Sequence, residues 1–201
     1  MRFPIALGLI ITGVILIGSS LWPGLTYSVS RFTSPPINLI DPTDVTLAGS
    51  WFSKKPILPH PSATTITHFT FSYKKINLTD ISVTVNGSDL KKGAIHFPGT
   101  SLPGDYGNSV IIGHSALPQF YKSGSPLTLF NPLLKAKIGD DIFVNFDGII
   151  YHYLVRKTAE VDPSQIEVLF QDFSRKELTL ITCTPLGTYW RRFVVRAELV
   201  I

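Results

Sequence analysis

A single cysteine, Cys183, stands in a chain of 201 residues. One thiol can make neither an internal disulfide nor a multi-thiolate metal site, so neither organises this fold. Charge is also scarce: Asp, Glu, Lys and Arg make up 16% of the chain against 44% hydrophobic residues, which excludes a disordered polyelectrolyte. The net charge of +4 comes from basic pairs scattered along the sequence, among them Lys54-Lys55, Lys91-Lys92 and Arg191-Arg192. No basic stripe or nucleic-acid motif accompanies them, so no nucleic-acid partner is expected. The five histidines include no pair at metal-ligand spacing, so no metal and no cofactor are expected. Internal repeats and long runs of like charge are lacking as well.

The apolar content is concentrated at the front. Residues 3–30 carry no charged side chain, and residues 3–22 (FPIALGLIITGVILIGSSLW) would cover roughly 30 Å as a helix, the thickness of a bilayer core. A cleaved signal peptide is the rival reading. Its nearest small-residue site is Gly18-Ser19-Ser20, followed by the bulky Leu21-Trp22-Pro23. Both readings put the remainder outside the cytoplasm, with Met1-Arg2 inside. The sequence is therefore read as a transmembrane signal-anchor (1–27), a Pro/Ser/Thr-rich extracellular spacer (28–65) with little structure of its own, and a single domain (66–201). At roughly 135 residues that domain can bury about two-thirds of its unfolded surface.

Within the domain the pattern is mainly β. Residues 81–85 (ISVTV) alternate and end at Asn86-Gly87, residues 109–112 form a short buried run, and residues 141–155 read as a hairpin turning at Asp147-Gly148. Residues 178–182 and 193–201 close the set. Helical signals are few: one within 126–137, and one after Asp162-Pro163-Ser164 over 165–170. Many short strands in one compact domain imply a closed or nearly closed β-barrel.

Three segments carry reactive side chains at strand ends, where a rigid scaffold presents a group to solvent: Gly113-His114-Ser115, Thr182-Cys183-Thr184 and Arg191-Arg192. A thiol is a weak nucleophile until its proton is removed, which a histidine can do. A guanidinium can then steady a developing oxyanion. The set suits acyl transfer through a thioester. Papain-like proteases run Cys before His, the reverse of the order here. Chymotrypsin-like cysteine proteases need a Gly-rich nucleophile loop that residues 181–185 lack.

From about Thr70 to Ile201 the chain resembles the sortases, cell-surface transpeptidases of mainly Gram-positive-type bacteria. The resemblance lies in Gly93-Ala94-Ile95-His96-Phe97-Pro98-Gly99-Thr100, in residues 102–108 leading into Gly113-His114-Ser115, in Ile138-Gly139-Asp140-Asp141-Ile142, and in Thr179-Leu180-Ile181-Thr182-Cys183 with arginine downstream. It implies an eight-stranded sortase β-barrel with a few short helices. It also implies attack of Cys183 on the Thr–Gly bond of a Leu-Pro-x-Thr-Gly-like (LPXTG-like) sorting signal, with His114 as general acid and base. An amine on a peptidoglycan precursor or a pilin lysine would resolve the thioacyl intermediate. The arginine is assigned to Arg192, nine residues after the nucleophile. A one-residue slip in the intervening loop would exchange it for Arg191. Ser115 and Thr182 are candidates for lining the peptide groove, with a local turn or strand role as the alternative for each.

Cys183-Thr184-Pro185-Leu186-Gly187 is similar to the run in pilin-polymerising sortases, but those carry a second, carboxy-terminal anchor and a lid. The single amino-terminal anchor fits a housekeeping or class D/E-like member better, and Asp41-Pro42 is only a faint lid signal. His60, His68, His96 and His152 are read as structural, with His96 in a turn. Glu160, Asp162 and Glu167 form no calcium-loop pattern. Two other readings stay open: an L,D-transpeptidase-like cell-wall enzyme, which would place His and Cys close together in sequence, and a non-enzymatic anchored β-domain that binds a surface ligand.

Overall fold

The computed structural model of the chain describes residues 12–13, 51–53 and 64–200. The chain divides into two compact units, residues 1–39 and 40–201. Of the first only Thr12 and Gly13 are described, both helical, so the expected transmembrane segment lies outside the described residues. Among the described residues no helix is long and apolar enough to cross a membrane.

The described residues of the second unit form eight strands: β1 (His68–Tyr73), β2 (Leu78–Thr84), β3 (Ala94–His96), β4 (Gly107–Ile112), β5 (Asp141–Phe146), β6 (Ile149–Val161), β7 (Lys176–Thr184) and β8 (Arg191–Leu199). They close into a barrel in the order β1-β2-β3-β4-β7-β8-β6-β5, with β5 pairing back to β1. Two pairs are parallel, β2 with β3 and β4 with β7; the others are antiparallel. In that order each strand has a neighbour on both sides.

The expected hairpin of β5 and β6 is present, turning at Asp147 (φ 53°) and Gly148 (φ 75°), the left-handed pair that a tight two-residue turn demands. Neither expected helix is an α-helix. Residues 126–137 hold two short 3-10 turns, Pro126–Thr128 and Asn131–Lys135, each with a proline in its first turn. Residues 165–170 hold one, Ile166–Leu169. Asp162 closes a local turn instead, its carboxylate accepting from Ser164 N–H at 2.9 Å.

Alternation along the strands builds two cores on the two faces of one sheet. Phe71, Ile111, Leu178, Leu180, Val195 and Ala197 point to the barrel interior. Their neighbours Val110, Ile112, Ile181, Cys183 and Val194 point to the opposite face, where Leu90, Phe97, Leu169, Trp51 and Phe52 cover them. That is why β4 and β7 read as continuous apolar runs: both of their faces are buried.

The segment read as an unstructured spacer contributes to this second core. Trp51 is 1% exposed and Phe52 4%. Ser53 N–H donates to Pro163 O at 3.0 Å. Two aromatics can bury more apolar surface than most residues of the chain, which offsets the cost of ordering their short stretch.

His96 is a further difference. It lies in β3, not in a turn, and is fully buried. Its Nε2 is 2.9 Å from Ser101 O and 3.0 Å from the Thr100 hydroxyl, so a buried ring nitrogen is satisfied. Burial lowers its pKa from 6.5 to about 4, opposed by the Ser101 carbonyl.

Candidate active site

Strand register assembles the site. β4 and β7 run parallel with Ile112 paired to Ile181, so two further residues bring His114 level with Cys183. On the other side of β7, Cys183 is the antiparallel partner of Arg192. Directly opposed residues in an antiparallel pair share a face. His114, Cys183 and Arg192 therefore form one rung across three strands, and all three line a cavity of about 280 Å³.

Each member of the rung is fixed by its neighbours. Gly113 N–H donates to Ile181 O at 3.2 Å, and the Thr182 hydroxyl donates back to Gly113 O at 2.9 Å. A side chain at Gly113 would come within 2.7 Å of the Phe130 ring, so only glycine lets the chain pass there. Beyond the histidine, the Asn131 side chain pairs with both main-chain groups of Ala116, accepting from N–H at 2.8 Å and donating to O at 2.9 Å. Phe130 N–H donates to His114 O at 2.9 Å. The histidine segment is thus tied to β7 on one side and to the Asn131–Lys135 turn on the other.

Of the two residues expected to line the groove, Ser115 borders the cavity, and its hydroxyl donates to Cys183 O at 2.8 Å. Thr182 is fully buried and its hydroxyl is engaged by Gly113, which puts it in the framework of the site. Arg191 points away: its side chain is half exposed and lies 3.9 Å from Glu160. Arg192 is 2% exposed and in the cavity wall.

Burial dominates the electrostatics. It pushes the Cys183 thiol up from its ordinary value, with Arg192 opposing. It pushes the His114 imidazole down, with Asp89 opposing and Lys91 adding. At neutral pH the pair rests as thiol and neutral imidazole, and His114 Nε2 has no hydrogen-bond partner among the described residues.

Trp51 is the residue the sequence reading did not select. Its ring lies 5.8 Å from the His114 ring and 5.1 Å from the Arg192 guanidinium. Arg192 directs Nε (3.0 Å) and Nη2 (2.6 Å) onto the Trp51 carbonyl oxygen, a two-pronged grip on a peptide carbonyl. A third nitrogen, Nη1, donates to Tyr189 O at 2.8 Å. The only sequence signal was an isolated Trp-Phe pair in a proline-rich stretch.

A closed eight-stranded barrel carrying Cys, His and Arg on one rung defines a cysteine acyl-transfer scaffold. Residues 73–200 match the family model described as the sortase domain, and the chain belongs to the sortase family, whose members are cysteine transpeptidases. Sortase A of Streptococcus agalactiae serotype III is 30% identical over 116 residues, covering 57% of this chain and 45% of that protein. Sortase A of Bacillus anthracis is 24% identical over 206 residues, covering 98% of this chain and 93% of that protein. A lid mutant of sortase A from Corynebacterium diphtheriae superposes with a TM-score of 0.59 at 30% identity, over 69% of this chain and 73% of that one. The chain thus spans just under half of one curated relative and nearly all of another. Membership sets aside the L,D-transpeptidase-like reading.

Proposed function

We propose that the chain is a cell-surface transpeptidase that cleaves an LPXTG-like sorting signal and joins the released carboxyl group to an amine of peptidoglycan precursor or pilin. Residues 1–27 serve as its membrane anchor, 28–65 as the connection and 66–201 as the catalytic domain, facing outward. The observation that carries the reading is the Arg192 grip on the Trp51 carbonyl beside Cys183 and His114. An arginine that holds one peptide carbonyl at the nucleophile can hold another.

The reaction follows from the rung. His114 takes the Cys183 proton as Sγ bonds to the scissile carbonyl carbon. The electron pair moves onto the carbonyl oxygen, where Arg192 steadies it. Collapse breaks the C–N bond, the leaving amine receives the proton from His114, and a thioester remains on Cys183. An acceptor amine then attacks the thioester, gives up a proton to His114, and releases an amide and the thiol. Sulfur and nitrogen change partners with no net oxidation.

Trp51 occupies the place this peptide needs, so the 51–53 segment leaves the rung before substrate enters. The test is the full chain incubated with an LPXTG-like peptide and a primary amine, with products identified by mass. Cleavage after Thr with formation of the new amide, absent in Cys183→Ala, is the expected result. Unchanged peptide, or cleavage that survives in Cys183→Ala, would overturn the reading.

A further inference from the structure

The outer face of β1, β2, β5 and β6 holds a groove of about 460 Å³ that shares no lining residue with the cavity at Cys183. Strand register builds it. Thr70 pairs with Asn145 and Asn145 with Ile150; Ser72 pairs with Phe143 and Phe143 with His152. Directly opposed residues share a face, so these make two adjacent rows across three strands, while the alternating Phe71 and Val144 fill the barrel core.

On β2 a bulge turns two more side chains into the groove. Phe71 pairs with Ile81 and Tyr73 with Leu78, so two steps on β1 span three on β2, and Asp80 takes a φ of 49°. Thr79 and Asp80 consequently both border the groove. The Ser72 hydroxyl locks the bulge, accepting from Asp80 N–H at 2.9 Å and donating to Asp80 Oδ1 at 3.1 Å. Oδ2 has no hydrogen-bond partner among the described residues. At the other wall the His152 ring, whose Nε2 is 2.7 Å from Asp141, stacks on Phe143 with centroids 4.6 Å apart and planes 14° apart. His152 does not border the groove, so Phe143 turns its other face to it. Phe143 is 37% exposed and Ile150 69%.

These groups select a ligand by its chemistry. A braced, exposed aromatic face takes a flat apolar surface. Around it stand the Asp80 carboxylate, the Thr70 and Thr79 hydroxyls and the Asn145 amide, which together offer both donors and acceptors. One carboxylate, Asp80, is balanced by one ammonium, Lys74, so the groove has no net charge to draw a phosphate or a polyanion. A neutral pyranose meets all three conditions: its C–H face is apolar, and its rim hydroxyls donate to carboxylate and amide oxygens. An N-acetyl group adds an amide for Asn145 and a methyl for Ile150. We propose that this groove binds N-acetylated hexosamine units of a cell-wall glycan strand, at a surface separate from the catalytic rung. The sugar chemistry rests on the groove alone, and the choice of a wall strand rests on the cell-surface reading above.

The test titrates the full chain, in a detergent without a sugar headgroup, with the β-1,4-linked tetramer of N-acetylglucosamine, followed by calorimetry. Wild type and Cys183→Ala bind it alike. Asp80→Asn keeps an oxygen for Ser72 and tolerates the left-handed backbone but loses the charge, and binding weakens about tenfold. Phe143→Ala weakens it about tenfold or more, and Phe143→Trp retains it. Cleavage of a soluble LPXTG-like peptide is unchanged in all three groove variants. Wild type also sediments with purified wall glycan stripped of its stem peptides, and free tetramer releases it. No binding of tetramer up to about 10 mM overturns the proposal, as does equal affinity in wild type, Asp80→Asn and Phe143→Ala. Sedimentation only where the stem peptides remain would assign the groove to peptide and overturns it too. Tetramer binding without sedimentation overturns the wall-strand assignment. Binding is read without turnover, so a wild type that cleaves no peptide would sink the transpeptidase reading and leave the sugar result standing.

Discussion

Removing the Trp51 side chain should open the nucleophile. Trp51 is 1% exposed against the His114 ring and the Arg192 guanidinium, and a tryptophan buries roughly 200 Å². At about 25 cal/mol per Å² that is roughly 5 kcal/mol, an upper bound that a realistic unfolded reference reduces to about 3 kcal/mol. Trp51→Ala leaves the main-chain carbonyl for Arg192 to grip, so this apolar part is what the substitution removes. The covering segment must lift for a reagent to reach Cys183. About 3 kcal/mol less holding it down raises the open fraction, and the alkylation rate, by about 100-fold until the segment is mostly open. The assay is the pseudo-first-order rate of iodoacetamide addition at fixed pH, followed by intact mass, with one cysteine in the chain giving one site. A rate within twofold of wild type, with the barrel still folded, would refute the idea that Trp51 guards the thiol.

Three further outcomes follow from the same geometry. Arg192→Lys keeps the charge and loses the two-pronged grip, so kcat/KM falls by about 10²- to 10³-fold in a peptide-cleavage assay; a loss under threefold would point to a role for charge alone. Asn131→Ala frees Ala116 and with it the His114 segment, so kcat falls about tenfold or more while peptide KM holds; a KM effect with unchanged kcat would contradict this. His96 is fully buried with its pKa lowered from 6.5 to about 4, so below 6.5 the unfolded chain binds a proton that the folded chain refuses. Its contribution is complete above 6.5 and is lost as pH falls to 4, by about 3 kcal/mol. Urea melts of wild type and His96→Gln at pH 7 and pH 4 should show their stability difference shift by that amount in favour of the variant at pH 4, and parallel curves would argue against it.

What was legible in the sequence tracks how locally each feature is encoded. The β5–β6 hairpin shows because Asp147-Gly148 and the flanking alternation lie within one window. β6 runs to Val161, beyond the expected Val155, because a register shift between Val155 and Lys157 interrupts the alternation and the basic Arg156-Lys157 looks like a strand end. β3 spans only Ala94–His96, too short for any period to show, although it buries His96 completely. The reactive residues were visible as types at strand ends. Their meeting depends on the parallel β4–β7 register and the β7–β8 register, which no local pattern specifies. The same register separates Arg192 from Arg191. Trp51 acts through a partner far away in the chain, Arg192. Proline-rich composition masked it.

The most direct measurement is the intact mass of the full chain after brief incubation with LPXTG-like peptides, wild type beside Cys183→Ala. A mass gain equal to the peptide cleaved after Thr, on Cys183 and absent from the alanine variant, is the predicted result. A Cys183 that alkylates readily yet carries no adduct from any such peptide would contradict the sorting-signal assignment. An adduct on Cys183→Ala would contradict the nucleophile itself.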